Sequence, residues 1–526
     1  MNPLRFRFAF DIGGTFTDLV LLGSDGRIHT AKVLSDHDNV VGPIRAGLQR
    51  MLQQHGIALS QLSEVVSGAT TAVTNLVIER KGACTGLITT AGFRDVIEIA
   101  RELRYDLYDL GAPGPDPVIP RALRAEVQER VDAAGRVIEA PRDDEIEQVI
   151  RQLVAAGVRA IAVCFLHSFT NPAHEQRVKA IAQRIAPQVS VSLSSEVLGE
   201  MREYERATVA VMNAYVAPTM QGYYARLERS FHAKGFTAPL SMTTSNGGTI
   251  DVETARARPI DTVLSGPASG VVAAIAAAKS AGLTEIVTFD MGGTSADIAI
   301  AEGQEPEITT RTMLGELPLI LPVVNVGAIG AGGGSIVRVD SEGVLKVGPA
   351  SAGADPGPAC YGRGGEHATI TDAYLLCGFL DPKGFLGGRV VLSAERAREA
   401  LGKIAAAMNL GPGEDGAVRA AEAAIRVASS MMATEVRKTL ARRGSDPRAF
   451  TLVPYGGAGP THAAMLADEV GIRTILVAPS PGTFCALGAT VANLRRDFVK
   501  SSRIHLDPRS EEHTSELQSR ETISYA

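Results

Sequence analysis

The stretch Phe6-Arg-Phe-Ala-Phe-Asp11-Ile-Gly13-Gly14-Thr15-Phe-Thr17-Asp18-Leu-Val-Leu-Leu22 decides how the rest of the chain is read. Apolar residues alternate up to Asp11, two glycines break the run, and apolar residues resume from Leu19, which is the pattern of a β-hairpin. At its tip, Gly13 and Gly14 let backbone N–H groups approach an anion, Thr15 and Thr17 add hydroxyl donors, and Asp11 can hold a hydrated magnesium ion. That combination suits a phosphate. It is not a P-loop, since GxxxxGK[ST] does not occur, and it is not a GxGxxG turn opening a helix.

Working outward, the same device returns far down the chain. Ile286-Val-Thr-Phe-Asp290-Met-Gly292-Gly293-Thr294-Ser-Ala-Asp297-Ile-Ala-Ile repeats the glycines and both acidic residues at equal offsets. A duplicated element implies two similar lobes around a cleft. The two hairpins then grip one triphosphate from both sides, and Asp11 and Asp290 share the metal. A third element, Tyr455-Gly456-Gly457-Ala458-Gly459-Pro460-Thr461-His462, follows the strand-like Phe450–Val453 and opens a helix, so its glycines can let an adenine or ribose lie against the backbone.

Between these elements, helical spacing at 43–54 and 142–156 alternates with strand-like runs at 86–89 and 158–165, so an α/β layer is expected. Residues 109–120 read as a proline- and glycine-rich loop. The pattern resets near 190–200 and helices follow to about residue 234, which places a domain boundary at 200 and gives units 1–200 and 201–508. Ile425, Ala428, Met432, Val436 and Leu440 share one face of a long helix near 422–443, read as core packing. Residues 509–526 are polar and aperiodic, and are expected to be a non-native tail.

The composition excludes several function classes. The 526 residues include 54 glycines but only 5% aromatics and no tryptophan, which disfavours a stacking-based binder of single-stranded nucleic acid. A net charge of −6 gives no basic field for nucleic acid or an anionic membrane. The longest apolar tract, 270–278, is too short to span a bilayer. Five scattered cysteines without a CxxC pair fit reduced thiols, and the start of the chain lacks signal-peptide features, so a cytoplasmic location is expected. The histidines form no HxxxH or HExxH site.

Seven ordered motifs together resemble the hydantoinase A/5-oxoprolinase family, within the actin-like ATPase superfamily. They are the segments 11–18, Ser67-Gly-Ala-Thr-Thr71-Ala-Val-Thr-Asn75, Leu264-Ser-Gly-Pro-Ala-Ser-Gly270, 289–297, Gly330-Ala-Gly-Gly-Gly-Ser335, Ser351-Ala-Gly-Ala-Asp-Pro-Gly-Pro-Ala-Cys-Tyr361-Gly362 and 455–460. The resemblance implies two ribonuclease H-like α/β lobes closing on Mg2+ and ATP, with Asp11 and Asp290 catalytic and metal-binding. Gly13, Gly14, Thr15, Thr17, Gly292, Gly293, Thr294, Gly456, Gly457, Ala458 and Gly459 would then hold the nucleotide. It further implies that Ser335, Ser351 and Tyr361 border the cleft as ligand contacts. Thr71 and Asn75 can point into the cleft too, although Ser and Thr at a helix start also serve as caps.

The implied activity is the A-type subunit of an ATP-dependent enzyme that phosphorylates the carbonyl of a small cyclic amide to drive ring opening. A hydantoinase B-type subunit would be its partner and the source of any transition metal. A ketone carboxylase subunit is the nearest alternative, and an actin-like binding ATPase without a small-molecule substrate is a second. Tyr374 stands where family members commonly carry Asn.

Overall fold

The alternation that marks the first hairpin sets which face of the first sheet carries chemistry. In the computed structural model, Phe6–Ile12 (β1) and Phe16–Gly23 (β2) pair antiparallel, with Asp11 directly opposite Asp18. Because side chains alternate along a strand, Phe6, Phe8, Phe10 and Ile12 enter one hydrophobic core while Asp11 projects from the other face. On the core side, Phe231 of the 30-residue helix Glu203–His232 packs against Phe8 and Phe10. Phe8 and Phe10 are fully buried, each contributing on the order of 2–3 kcal/mol of transfer free energy. The structure describes residues 4–501 apart from 15, 37–38, 63–65, 102–105, 110, 234, 237, 389 and 500, and apart from the side chains of 386 and 387. The expected tail at 509–526 lies outside the described residues.

Three larger sheets organise the chain. Ile28–Leu34 (β3) and Val66–Thr70 (β4) are the next two strands along the chain, and both join the first hairpin. That sheet runs Thr249–Asp251, Leu240–Thr243, β4, β1, β2, β3. A four-stranded parallel sheet, in the order Ser190–Leu193, Ala160–Cys164, Thr85–Thr90, Arg124–Val127, has its own core around Ile88, Ile150 and Val163. The third sheet is centred on the second hairpin, Ile286–Met291 and Ala296–Glu302, flanked by Thr451–Tyr455.

The first and third sheets share a plan. In each, the leading hairpin strand pairs antiparallel with its return strand and parallel with a strand that feeds a helix: β4 in one case, Thr451–Tyr455 in the other. Asp290 sits opposite Asp297 as Asp11 sits opposite Asp18. Val287, Phe289 and Met291 enter a core with helix Gly413–Ala441, whose Ile425, Ala428, Met432, Val436 and Leu440 are buried as the periodicity requires.

The expected boundary at residue 200 marks the approach to a helix but does not divide the sheets. Leu240–Thr243 pairs with β4, so residues from beyond 200 complete the first sheet. The reason is pairing between distant segments: β4 has an open edge that only a returning strand can fill. Among the described residues, no helix is long and apolar enough to cross a membrane.

Candidate active site

Two helices lie between the faces that carry Asp11 and Asp290. Helix Ser265–Ser280 and helix Phe484–Val491 pack so closely that a Cβ on Gly488 would lie 1.8 Å from the carbonyl oxygen of Ser269, so only glycine fits there. The first of these helices brings Gly266 against Asp11, where a Cβ would lie 3.4 Å from Oδ1. The second brings Cys485, whose thiol donates to Asp290 Oδ2 at 3.5 Å. The two hairpins, far apart in the chain, are therefore brought near one another, and the charge of Asp290 bears on Asp11.

Their charges confirm the proximity. Burial pushes the Asp11 carboxyl up to about 7, the charges of Asp18 and Asp290 add to the shift, and Lys32 opposes it. Asp290 is also pushed to about 7, by burial and then by Asp297, while the Cys485 thiol and Lys32 favour its ionised form. Asp297 rises to about 6 through burial. Asp18 is raised by burial and held back by Lys32. Buried carboxylates crowded in this way repel one another unless a cation joins them.

Asp11 Oδ1 is buried without a hydrogen-bond partner, an orphan acceptor. Among the described residues, no three His, Cys, Asp or Glu side chains form a ready metal cage. Two carboxylates with an unsatisfied oxygen fit magnesium, which takes one or two carboxylates and fills its remaining positions with water and phosphate oxygens.

The tips of both hairpins close identically: Gly13 N donates to the Phe16 carbonyl at 3.0 Å, and Gly292 N to the Ser295 carbonyl at 3.1 Å. Gly14, Gly293 and Thr294 are exposed. Thr15 lies outside the described residues. Thr17 corrects the expectation of a phosphate donor. Its side chain is buried, its hydroxyl bonds Ser35 Oγ at 3.0 Å, and Ser35 in turn donates to the Gly13 carbonyl at 2.8 Å, so the pair braces the turn from behind. Strand alternation puts Thr17 on the face opposite Asp18.

The glycine-rich loop after Thr451–Tyr455 lies against the second hairpin. Gly456 has φ of 80°, and a Cβ there would come 2.3 Å from Asp290 Oδ1, so the backbone approaches the carboxylate as only glycine allows. Ala458 N donates to the Met291 carbonyl at 2.9 Å, and Gly459 begins helix Gly459–Val470. Gly457 is exposed at the lip.

Several expected ligand contacts serve the scaffold instead. Ser335 is fully buried and its hydroxyl accepts from Gly332 N at 2.7 Å, closing the loop 330–335. That loop braces the second hairpin from outside, with Gly333 N donating to the Gly292 carbonyl at 3.0 Å. Thr71 donates from its hydroxyl to the Ile12 carbonyl at 3.1 Å and so ties helix Ala72–Ile78 to the first hairpin. Ser351 accepts from Gly353 N at 3.2 Å, and Tyr361 packs on Phe385 with ring centroids 5.5 Å apart. Asn75 is half-buried on the first turn of helix Ala72–Ile78. Tyr374 is buried behind the second hairpin, with its hydroxyl 2.6 Å from His462 Nδ1, and His462, depressed to about 4 by burial, is a packed neutral residue.

Sequence reasoning missed Lys32 and Cys485. Lys32 lies across from Asp18 in the β2–β3 pair, with Nζ 2.6 Å from Asp18 Oδ1. Counting register through the turn at 24–27 would have found it. Cys485 carried no such signal, because its approach to Asp290 depends on how a distant helix packs.

The fold is thus that of an α/β protein in which two corresponding sheets each carry an acidic glycine hairpin. The chain belongs to the hydantoinase/oxoprolinase family: the family's N-terminal region matches residues 7–186 and its hydantoinase/oxoprolinase region matches residues 206–498. It is 34% identical to the caprolactamase subunit alpha of Pseudomonas jessenii over 96% of this chain and 73% of that protein. It is 33% identical to the acetophenone carboxylase gamma subunit of Aromatoleum aromaticum over 95% of this chain and 70% of that one. The crystal structure of the ATP-dependent caprolactamase from Pseudomonas jessenii superposes with a TM-score of 0.82 at 33% identity, covering 93% of this chain and 71% of that one. Nucleotide-free acetone carboxylase gives 0.79 at 29%, covering 93% and 70%.

Proposed function

We propose that this chain is the ATP-binding subunit of an enzyme that phosphorylates the carbonyl oxygen of a small cyclic amide, in an actin-like arrangement of two lobes. The observation that carries this reading is the convergence of Asp11 and Asp290, with Asp11 Oδ1 left without a partner. The named activities of the relatives, an ATP-dependent caprolactamase and an ATP-dependent acetone carboxylation, support the same class of chemistry.

An unactivated amide is a poor electrophile. Transfer of the γ-phosphoryl group to its oxygen, with ADP leaving, gives an imidate phosphate; one water then adds to the carbon and the C–N bond breaks to leave an amine and an acyl phosphate, which a second water hydrolyses to the ring-opened acid and inorganic phosphate. Asp11 and Asp290 would hold magnesium, which supplies charge neutralisation at the phosphoryl oxygens when bound. The exposed backbone at Gly14 and Gly293 would meet phosphate oxygens from opposite sides, and the backbone at Gly456–Gly459 would border the nucleoside. A B-type subunit would complete the hydrolytic step, consistent with the subunit names of the relatives.

The carboxylase relatives favour a second reading, in which an enolisable ketone and bicarbonate are phosphorylated instead. One experiment separates them. The chain is incubated with magnesium and ATP, with and without a B-type partner, against a panel of lactams, hydantoins, oxoproline and ketones, and ADP is recorded. ADP formation stimulated by a cyclic amide and indifferent to bicarbonate is expected. Bicarbonate-dependent consumption with ketones assigns the second reading, and turnover stimulated only by a protein overturns both.

A further inference from the structure

The proposed nucleotide crevice between the hairpins would be lined by four carboxylates, Asp11, Asp18, Asp290 and Asp297, and the proposed ligand is itself a polyanion. A single magnesium ion leaves that assembly strongly negative. Lys32 is the only cation among the described residues whose charge bears on Asp11, Asp18 and Asp290 together. Its position follows from register. In the first sheet Lys32 stands opposite Asp18, and Asp18 opposite Asp11, so the three side chains form one row across a single face. The Nζ contacts Asp18 Oδ1 at 2.6 Å, lies 5.3 Å from the Phe16 ring centroid, and the side chain keeps 32% of its surface exposed. It is therefore tethered at the crevice without being sealed from it.

We infer that Lys32 is a catalytic residue of the first lobe, an ammonium steered by Asp18 to meet the phosphoryl group as it leaves the nucleotide. The inference rests on the nucleotide reading above and deepens it. Lysine suits the task as a compact charge with three donors on a flexible stem, able to keep one contact to Asp18 while reaching an oxygen of the moving group. Its charge matters most when charge is spread over the equatorial oxygens in flight, so the benefit falls on the transition state more than on bound nucleotide. The alternative role is structural: Lys32 merely neutralises Asp18.

The test uses binding rather than turnover. Affinities for ADP and for ADP plus aluminium fluoride, a mimic of the phosphoryl group in flight, are measured by calorimetry with magnesium for the wild type, Lys32→Gln, Lys32→Arg and the double variant Lys32→Gln/Asp18→Asn. For Lys32→Gln the fluoride complex is expected to weaken about 100-fold and ADP less than about fivefold. Lys32→Arg should retain most of the fluoride affinity. The double variant, which removes the whole ion pair and leaves no unpaired buried carboxylate, should stay as weak toward the fluoride complex as the single one. Equal losses for both ligands, no loss, or recovery in the double variant would each overturn the inference while leaving nucleotide binding standing. A wild type that binds neither ligand would overturn the nucleotide reading and this inference with it.

Discussion

The two acidic hairpins have the same sequence frame, the same tip closure and the same register, yet they differ at one cross-strand position. Opposite Asp18 stands Lys32; opposite Asp297, at the corresponding place, stands Ala328. The first hairpin therefore has a fixed cation beside its acidic pair, whereas in the second burial disfavours the charges and only the Cys485 thiol and the more distant Lys32 oppose it at Asp290. On the proposed reading a duplicated fold divides labour: one copy would carry a positive charge to the nucleotide, and the other would depend on the metal. The second hairpin is also the more heavily braced, by loop 330–335 on one side and by Gly456 on the other. Carboxylates without a built-in counter-charge need their geometry imposed by the surrounding backbone.

The largest effect expected from breaking this comparison is at Asp290. Asp290→Asn should lower turnover by on the order of 10³ while nucleotide affinity changes by less than about tenfold, because the lost charge acts mainly on the transition state. Steady-state kinetics beside calorimetry reads both numbers, and near-normal turnover would remove Asp290 from the site.

Next comes the brace. Gly456→Ala puts a methyl group 2.3 Å from Asp290 Oδ1 at a φ of 80°. Turnover should fall about 100-fold and stability by about 2 kcal/mol, read by kinetics and denaturant titration. Unchanged turnover would mean that Asp290 need not be held where it is.

The smallest effect sharpens the difference between the lobes most directly. The Asp297 carboxyl is raised to about 6, so its folded form favours the proton; its contribution to stability is full below the ordinary carboxylate range and lost as pH rises through about 6. At pH 8 without ligand, Asp297→Asn should therefore raise the melting temperature by a few degrees, on the order of 1 kcal/mol. Asp18 is also raised by burial, but Lys32 offsets part of that cost, so Asp18→Asn should raise the melting temperature by less than Asp297→Asn does. Equal shifts would erase the distinction.

The hairpins were legible because period-two patterning, a double glycine and paired acids are all local, and a second copy of the same motif compounds the signal. The long helix at 413–441 was legible for the same reason, its apolar face repeating at helical period. Other features depended on partners distant in the chain. Nothing near Leu240 announces that this strand joins β4, and nothing near Cys485 announces Asp290. Thr17 and Ser335 show a further limit: a hydroxyl in a glycine-rich motif reads as a ligand donor, but strand alternation turned one inward and loop closure consumed the other. Lys32 lay within reach of register counting, since three short antiparallel strands fix which residues stand side by side.

Everything proposed for the crevice requires that carboxylates from opposite sheets share one cation. Mn2+ in place of magnesium, followed by electron paramagnetic resonance in the presence of ADP, tests this through a double-mutant cycle on Asp11→Asn and Asp290→Asn. One bound Mn2+ per chain is expected, its affinity lowered by either substitution and lowered further when both are made. Two Mn2+ sites, or a single site whose affinity responds to only one of the two substitutions, would contradict it.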